Sequence, residues 1–165
     1  MREVITLTFS GSTLDESNSI EVVWLTGGSK NVSTYYTSST TGCTASSPVI
    51  NTINVNPLPV PTFTESPGTE VCEQSTSTYT TQTDKSNYIW SITGGVSGTD
   101  YTITAGGVGS GSSTVTIQWL TTGPRTVTVR YTEPTTGCVA STTATSNTTV
   151  QAFATVGPPS VAYPS

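Results

Sequence analysis

The chain has 165 residues, of which only 5 are Lys or Arg and 10 are Asp or Glu, and it contains no His. At a net charge of -5 it lacks the basic clusters that release counterions from phosphates, so nucleic acid is excluded as a partner. The absence of His removes the commonest general base and metal ligand, and the apolar stretches are too short to span a membrane. The sequence therefore predicts no catalytic residue, no metal site, no cofactor and no membrane span.

Hydroxyl side chains take the place of charges in this chain. Thr contributes 37 residues and Ser 23, which together exceed a third of the sequence. Thr is β-branched and favours strands, and its hydroxyl group can cover the outer face of a sheet without charge. The composition favours an all-β protein.

Apolar residues recur at every second position, which is the periodicity of a half-buried β-strand. In the first part of the chain this apolar phase comprises Ile5, Leu7, Phe9, Ile20, Val22, Trp24, Val32 and Tyr36. Further on it comprises Tyr88, Trp90, Ile92, Tyr101, Ile103, Val115, Ile117, Trp119, Val127, Val129 and Tyr131. Turns such as Gly94-Gly95 and Gly123-Pro124 separate the runs. Short strands at this spacing predict an antiparallel sandwich or barrel.

An internal repeat aligns Ile20–Val55 with Val115–Val150 at an offset of 95 residues and without a gap. Of the 36 aligned positions, 14 are identical. The identities include three residue types that low complexity does not explain: Trp24 with Trp119, Gly28 with Gly123, and Cys43 with Cys138. A period of this length is typical of tandem immunoglobulin-like β-sandwich modules.

The repeat predicts three segments. Residues 1–56 are expected to be the C-terminal half of a truncated module, residues 57–152 a complete module, and residues 153–165 a linker with the start of the next. The Pro-rich stretches NPLPVPTF and VGPPSVAYP occupy the two junctions, where Pro stiffens the backbone. A half module cannot bury its inner sheet face alone, so the first segment is expected to be loosely ordered, to pair with another chain, or to be ordered only within a longer fibre.

The repeat also predicts how the three cysteines are used. Cys72 and Cys138 lie in the same predicted module and are expected to form a disulfide. The equivalent partner of Cys43 would precede Met1, so Cys43 is expected to be unpaired by truncation. A disulfide would place the protein in an oxidising, extracellular compartment.

The aromatic residues on the apolar phase have two interpretations. The first is that they fill the module core: Trp24, Trp90, Trp119, Tyr36 and Tyr131. The second is that the tryptophans form a platform for sugar rings. Tyr35 and Ile89 lie on the outward phase and are better placed for contacts with a partner.

The acidic residues could in principle supply the carboxylate pair of a glycosidase. The candidates near strand ends and loops are Glu65, Glu70, Glu73, Asp84 and Asp100. They show no pairing at the level of the repeat, and acids in loops are ordinarily just solvated. The sequence favours a protein that is not an enzyme.

Five short motifs in the chain resemble those of a known family. They are Val71-Cys72, Tyr88-x-Trp90, the run from Thr114 to Trp119, the run from Gly123 to Tyr131, and Gly137-Cys138. In this order they resemble the PKD-like and Ig-like repeats of giant cell-surface adhesins in the Bacteroidota, including type 9-secreted gliding-motility adhesins of the SprB type. The chain has WSITGG where PKD modules carry an acidic W-D-F-G-D-G stretch, so the acidic turn of those modules is missing.

The resemblance implies an extracellular, non-catalytic repeat that acts as a rigid spacer or stalk in a surface filament, for adhesion or gliding. The expected partners are neighbouring modules of the same chain, with lateral self-association and surface polysaccharide as further candidates. Two alternatives stay open: a carbohydrate-binding or accessory module of a secreted multidomain enzyme, and an Ig-like fibre domain of a phage.

Overall fold

The computed structural model describes residues 22–107 and 111–154. The chain divides into two compact units, residues 1–58 and residues 59–165. Within the described residues there are strands and no helix, so the all-β expectation is confirmed. The alternating residues Ile5, Leu7, Phe9 and Ile20, and the second Pro-rich junction, lie outside the described residues.

Unit 1, residues 1–58, contains one described β-hairpin. Its strands are β1 (Gly28–Thr34) and β2 (Val49–Val55), which pair antiparallel from Gly28 opposite Val55 to Thr34 opposite Val49.

Unit 2, residues 59–165, contains eight described strands in two four-stranded sheets. The strands are β3 (Phe63–Glu65), β4 (Glu70–Cys72), β5 (Thr76–Thr81), β6 (Ser86–Thr93), β7 (Tyr101–Gly106), β8 (Thr114–Trp119), β9 (Gly123–Thr132) and β10 (Ala144–Gln151). One sheet has the order β4-β10-β9-β6 and the other has the order β3-β5-β8-β7. The architecture is β-sandwich-like, since both sheets contribute to one core.

One pairing departs from the expected antiparallel arrangement. Strand β4 runs parallel to β10, with Val71 opposite Val150 and Cys72 opposite Gln151. The chain leaves the sheet of β3 in the Ser-Pro-Gly-Thr segment at 66–69 and enters the other sheet beside its last strand. Because β4 is only three residues long, alternation alone could not reveal which strand it joins.

The core of unit 2 is built from the inward phase of its strands. Its members come from six of the eight strands and from both sheets: Tyr79, Tyr88, Trp90, Tyr101, Val115, Ile117, Trp119, Val127, Val129, Tyr131, Ala144 and Val150. The rings of Tyr101 and Trp119 meet edge to face with centroids 6.1 Å apart. The Trp119 Nε1 group donates to Ser77 Oγ at 3.0 Å, so the buried indole is satisfied.

The sequence repeat is also a repeat of hydrogen bonds. Gly28 faces Val55 in unit 1, and Gly123 faces Val150 in unit 2. Beyond the strands, Ser38 N donates to Cys43 O at 2.9 Å, and at the same offset of 95 residues Glu133 N donates to Cys138 O at 2.9 Å. Both units therefore contain the same hairpin with the same register and the same connection.

A cross-strand pair of one Thr and one Asn lies on the outer face of this hairpin in both units, but the two residues occupy opposite strands in the two units. In unit 1, Thr52 Oγ1 donates to Asn31 Oδ1 at 2.7 Å. In unit 2, Thr126 Oγ1 donates to Asn147 Oδ1 at 2.8 Å. Residue 126 is the equivalent of Asn31 and residue 147 the equivalent of Thr52, so the hydrogen bond is kept while the side chains change strands. Pairs of this kind contribute about 0.2–1 kcal/mol to a sheet.

Candidate functional surfaces

A buried cation secures the start of each repeated hairpin. In unit 1, Lys30 is buried and its Nζ donates to Thr26 Oγ1 at 2.7 Å. At the equivalent place in unit 2, Arg125 is buried and its Nη2 donates to Thr121 Oγ1 at 2.9 Å. Lys30 lies on the same side of β1 as the apolar Val32, and Arg125 lies on the same side of β9 as the apolar Val127. A cation that recurs among inward-facing apolar residues is the sequence signal that would have identified Lys30 and Arg125.

The Arg125 guanidinium also satisfies several backbone carbonyls. Its Nη2 donates to the carbonyls of Thr121 and Thr122 at 3.0 and 3.1 Å, and its Nη1 donates to the carbonyl of Gly94. Gly94 has φ of 91°, and a Cβ there would lie 2.4 Å from the Pro124 oxygen, so only glycine fits this contact. The fork of Arg125 therefore ties two turns together, the one after β6 and the one between β8 and β9, and is occupied by the protein's own backbone.

Asp100 is the carboxylate associated with this cluster. It accepts from Thr121 Oγ1 at 2.6 Å and from Val96 N at 2.7 Å, and its Oδ1 lies 3.9 Å from Arg125 Nη2. The hydrogen bonds from Thr121 and Val96, with a smaller contribution from the Arg125 charge, lower the pKa of Asp100 below its ordinary value. The carboxyl is thus held ionised, which suits an anchor for a loop and not a general acid.

The remaining acids do not converge on a site in the described residues. Glu65 accepts from the Thr80 hydroxyl, Glu70 from the Gln151 amide, and Asp84 from the Thr83 hydroxyl. Glu133 pairs with Lys85 at 2.5 Å, which raises the pKa of Lys85. In the parts of the chain that the structure describes, no group of three His, Cys, Asp or Glu side chains could hold a metal ion.

The aromatic residues separate by unit. Trp90, Trp119 and Tyr131 lie in the core of unit 2. Trp24 is half-buried, and Tyr36, which was expected in a core, is 74% exposed and is corrected to a surface residue. Its equivalent Tyr131 is only 2% exposed: its ring meets the Tyr88 ring edge to face and its hydroxyl donates to the Val60 carbonyl, and neither contact has a counterpart among the described residues of unit 1.

The expected disulfide between Cys72 and Cys138 is not present, and all three cysteines are free thiols. Cys72 lies beside Gln151, at the end of the sheet where β9 begins, whereas Cys138 follows the end of β9 at Thr132. Ten residues of β9 at about 3.3 Å each separate these ends by about 30 Å. A disulfide needs Cα atoms within about 7 Å, so the register of this sheet forbids the bridge.

The described part of unit 1 carries a concave, mostly apolar surface with a volume of about 390 Å³. It lies on the inner face of the hairpin and is lined by residues that include Val22, Trp24, Val32, Val49 and Ile53. Val49 is 71% exposed, although its equivalent Ala144 is 7% exposed in the core of unit 2. The surface that unit 2 buries is therefore not covered by any of the described residues of unit 1.

Comparison with known proteins gives no match to a protein-family model and no significant match to a curated protein. Within the described residues, no helix is long and apolar enough to cross a membrane.

Proposed function

We propose that this chain is a non-catalytic segment of a secreted cell-surface adhesin or filament, in which immunoglobulin-like, PKD-like β-sandwich modules act as rigid spacers. The observation that carries the proposal is the hairpin repeated at an offset of 95 residues, with the same register and a buried cation at the same position. A spacer needs a module that can be repeated along a chain, and it needs no polar pocket.

The connectivity of unit 2 supports a load-bearing role. Strand β4 lies near the start of the unit and β10 is its last described strand, and the two run parallel. Pulling the ends of the unit apart slides parallel neighbours along their axes, so their hydrogen bonds are loaded together instead of one after another. Thr149 N to Thr69 O and Glu73 N to Gln151 O, both 2.8 Å, extend this ladder at its two ends.

The cell-surface location rests on the resemblance to the Bacteroidota adhesins and their secretion by the type 9 system. The free thiols in the structure lend it no support, because an extracellular assignment from cysteine usage needs the disulfide. Gliding motility and adhesion likewise rest on the resemblance to those adhesins.

A carbohydrate-binding or accessory module of a secreted enzyme is the second candidate. One observation favours it: the open concave surface of unit 1, with the Trp24 ring in its lining. Sugar rings stack on exposed aromatic faces in sites of this kind, which are concave and mostly apolar.

A glycan array with the complete chain separates the two functions. A spacer is expected to give no saturable binding to any glycan. Micromolar binding that is lost in Trp24→Ala and kept in Ile89→Ala, a change at an exposed position of unit 2, would contradict the spacer and establish the carbohydrate-binding function.

A further inference from the structure

The inner face of the unit 1 hairpin has a counterpart whose covering is known. In unit 2 the face formed by β9 and β10 is closed by the opposite sheet, and the edge of β9 is closed by β6. In unit 1, β1 has β2 as its only partner strand among the described residues. The edge of β1 and the concave surface beside it are therefore the two features that unit 2 covers and that no described residue of unit 1 covers.

Strand β5 fills the equivalent of the concave surface in unit 2. Tyr79 of β5 is fully buried there and its hydroxyl group lies 3.2 Å from Thr148 Oγ1. Residue 148 is the equivalent of Ile53, which lines the concave surface of unit 1. A tyrosine ring is of the right size and polarity for this space, because the surface is apolar with few polar groups.

Strand β6 completes the edge in unit 2. It pairs antiparallel with β9, with Trp90 opposite Val129 and Ile92 opposite Val127. Transferred by 95 residues to β1, the same register places an incoming tryptophan opposite Thr34 and an incoming isoleucine opposite Val32. The repeat therefore specifies the hydrogen-bond register of the incoming strand on β1, and it specifies which of its side chains lie opposite Val32 and Thr34.

We propose that unit 1 binds two consecutive extended strands of the β5–β6 type, one on each side of the core, supplied by the front half of a like module. The first strand inserts a tyrosine into the concave surface, and the second strand, reading Tyr-x-Trp-x-Ile, adds antiparallel to the edge of β1. Recognition depends on main-chain hydrogen bonds and aromatic rings, since β5 and β6 carry no charged residue and Lys30, the one charge on β1, is buried. The inference rests on the modular architecture proposed above.

The test uses the complete ¹⁵N-labelled chain and a synthetic peptide with the sequence of residues 74–95, which spans β5 and β6. Saturable shifts of amide signals are expected, confined to residues 22–55 and strongest along β1. A control peptide with Tyr79→Ser and Trp90→Ser should bind about tenfold more weakly or not at all, because both anchoring rings are lost. The chain variant Val32→Asp should weaken binding of the original peptide by about tenfold or more, because it places a charge in the apolar contact.

A fusion protein provides a second test, because the isolated peptide could fail to bind simply by not folding. In the fusion, residues 59–95 are added before Met1 through a flexible linker. It should gain a second cooperative unfolding transition and protection of the β1 amides from hydrogen exchange. The inference is overturned if the peptide does not bind and the fusion shows no second unfolding transition. It is also overturned if the amide-signal shifts are confined to β9 and β10. A dimer of the chain in which the β1 amides are already protected from hydrogen exchange would overturn it as well. None of these results decides the spacer function, because the glycan array tests that function independently.

Discussion

Single side chains explain why the two repeated hairpins keep the same geometry with different sequences. Lys30 and Arg125 occupy one position, and each donates to a threonine hydroxyl four residues earlier in the chain. The guanidinium of Arg125 additionally reaches the carbonyls of two turns, which a compact ammonium group cannot do with the same fork geometry. The position therefore holds a cation in both units, and in unit 2 the guanidinium also satisfies the carbonyls of two turns.

Trp119 and its equivalent Trp24 give a matched pair for the energetics of the core. Trp119→Ala should destabilise unit 2 by about 4 kcal/mol, because it empties a fully buried site. Trp119→Phe keeps a ring but leaves the Ser77 hydroxyl without its donor, and should cost about 2 kcal/mol. Urea unfolding followed by far-UV circular dichroism measures both, and Trp24→Ala should leave the main transition unchanged. Equal losses from the two alanine variants would contradict the assignment of Trp24 to an open face.

Asp100 gives a prediction for pH. Its pKa is lower in the folded than in the unfolded state, so the stabilisation is complete above the unfolded value of about 3.9 and is lost as pH falls through the folded pKa. Asp100→Asn should therefore make the free energy of unfolding less dependent on pH below about 4. Thr121→Val, which removes the hydrogen bond that contributes most, should produce part of the same effect. A pH profile identical in the original chain and in Asp100→Asn would refute this role.

At the scale of elements, alternation in the sequence predicted the strands that have long inward phases. Val127, Val129 and Tyr131 belong to one such run, and all three are buried. Alternation fixes the face of a strand but neither its neighbour nor the end of the sheet at which it begins. The parallel contact of β4 with β10 is such a non-local feature, and the error over the disulfide follows from it.

Arg125 escaped prediction for a related reason. Its position on the inward phase of β9 was visible in the sequence, but its partners belong to turns that only the fold brings together. For the concave surface of unit 1, the sequence predicted only that a half module cannot bury its inner sheet face alone, which stays a prediction. Which residues line that surface could not be predicted without the register of β1 and β2.

The separation of Cys72 and Cys138 predicts how the thiols react. Maleimide treatment of the folded chain should label exposed Cys43 and Cys72 quickly and half-buried Cys138 more slowly, with three labels after unfolding without reductant. Intact-mass spectrometry counts the labels. A chain that accepts only one label when unfolded, with a Cys72–Cys138 cross-linked peptide after digestion, would contradict the register of β4.

At the scale of the whole molecule, the chain combines two units that share a hairpin and differ in what covers it. Unit 2 closes the hairpin with a second sheet and a core of aromatic and β-branched residues. Unit 1 presents the same hairpin, and none of its residues from 22 to 58 covers the inner surface. The proposed spacer function depends on closed modules such as unit 2, and the proposed binding of like segments depends on the concave surface of unit 1.

The load-bearing role is tested most directly by pulling the complete chain from its two ends in a single-molecule force experiment. We expect one abrupt unfolding event with a gain in length of about 30 nm, because residues 59–154 of unit 2 extend by about 3.6 Å each when unfolded, less the folded extent of the unit. The control attaches the handles at Ser86→Cys and Thr132→Cys, with the native cysteines replaced by Ser, so that β6 is unzipped from β9 at the end where these residues face each other. Unfolding from the chain ends should require clearly more force than this unzipping. Gradual extension, or an unfolding force no higher than that of the control, would contradict the proposed function.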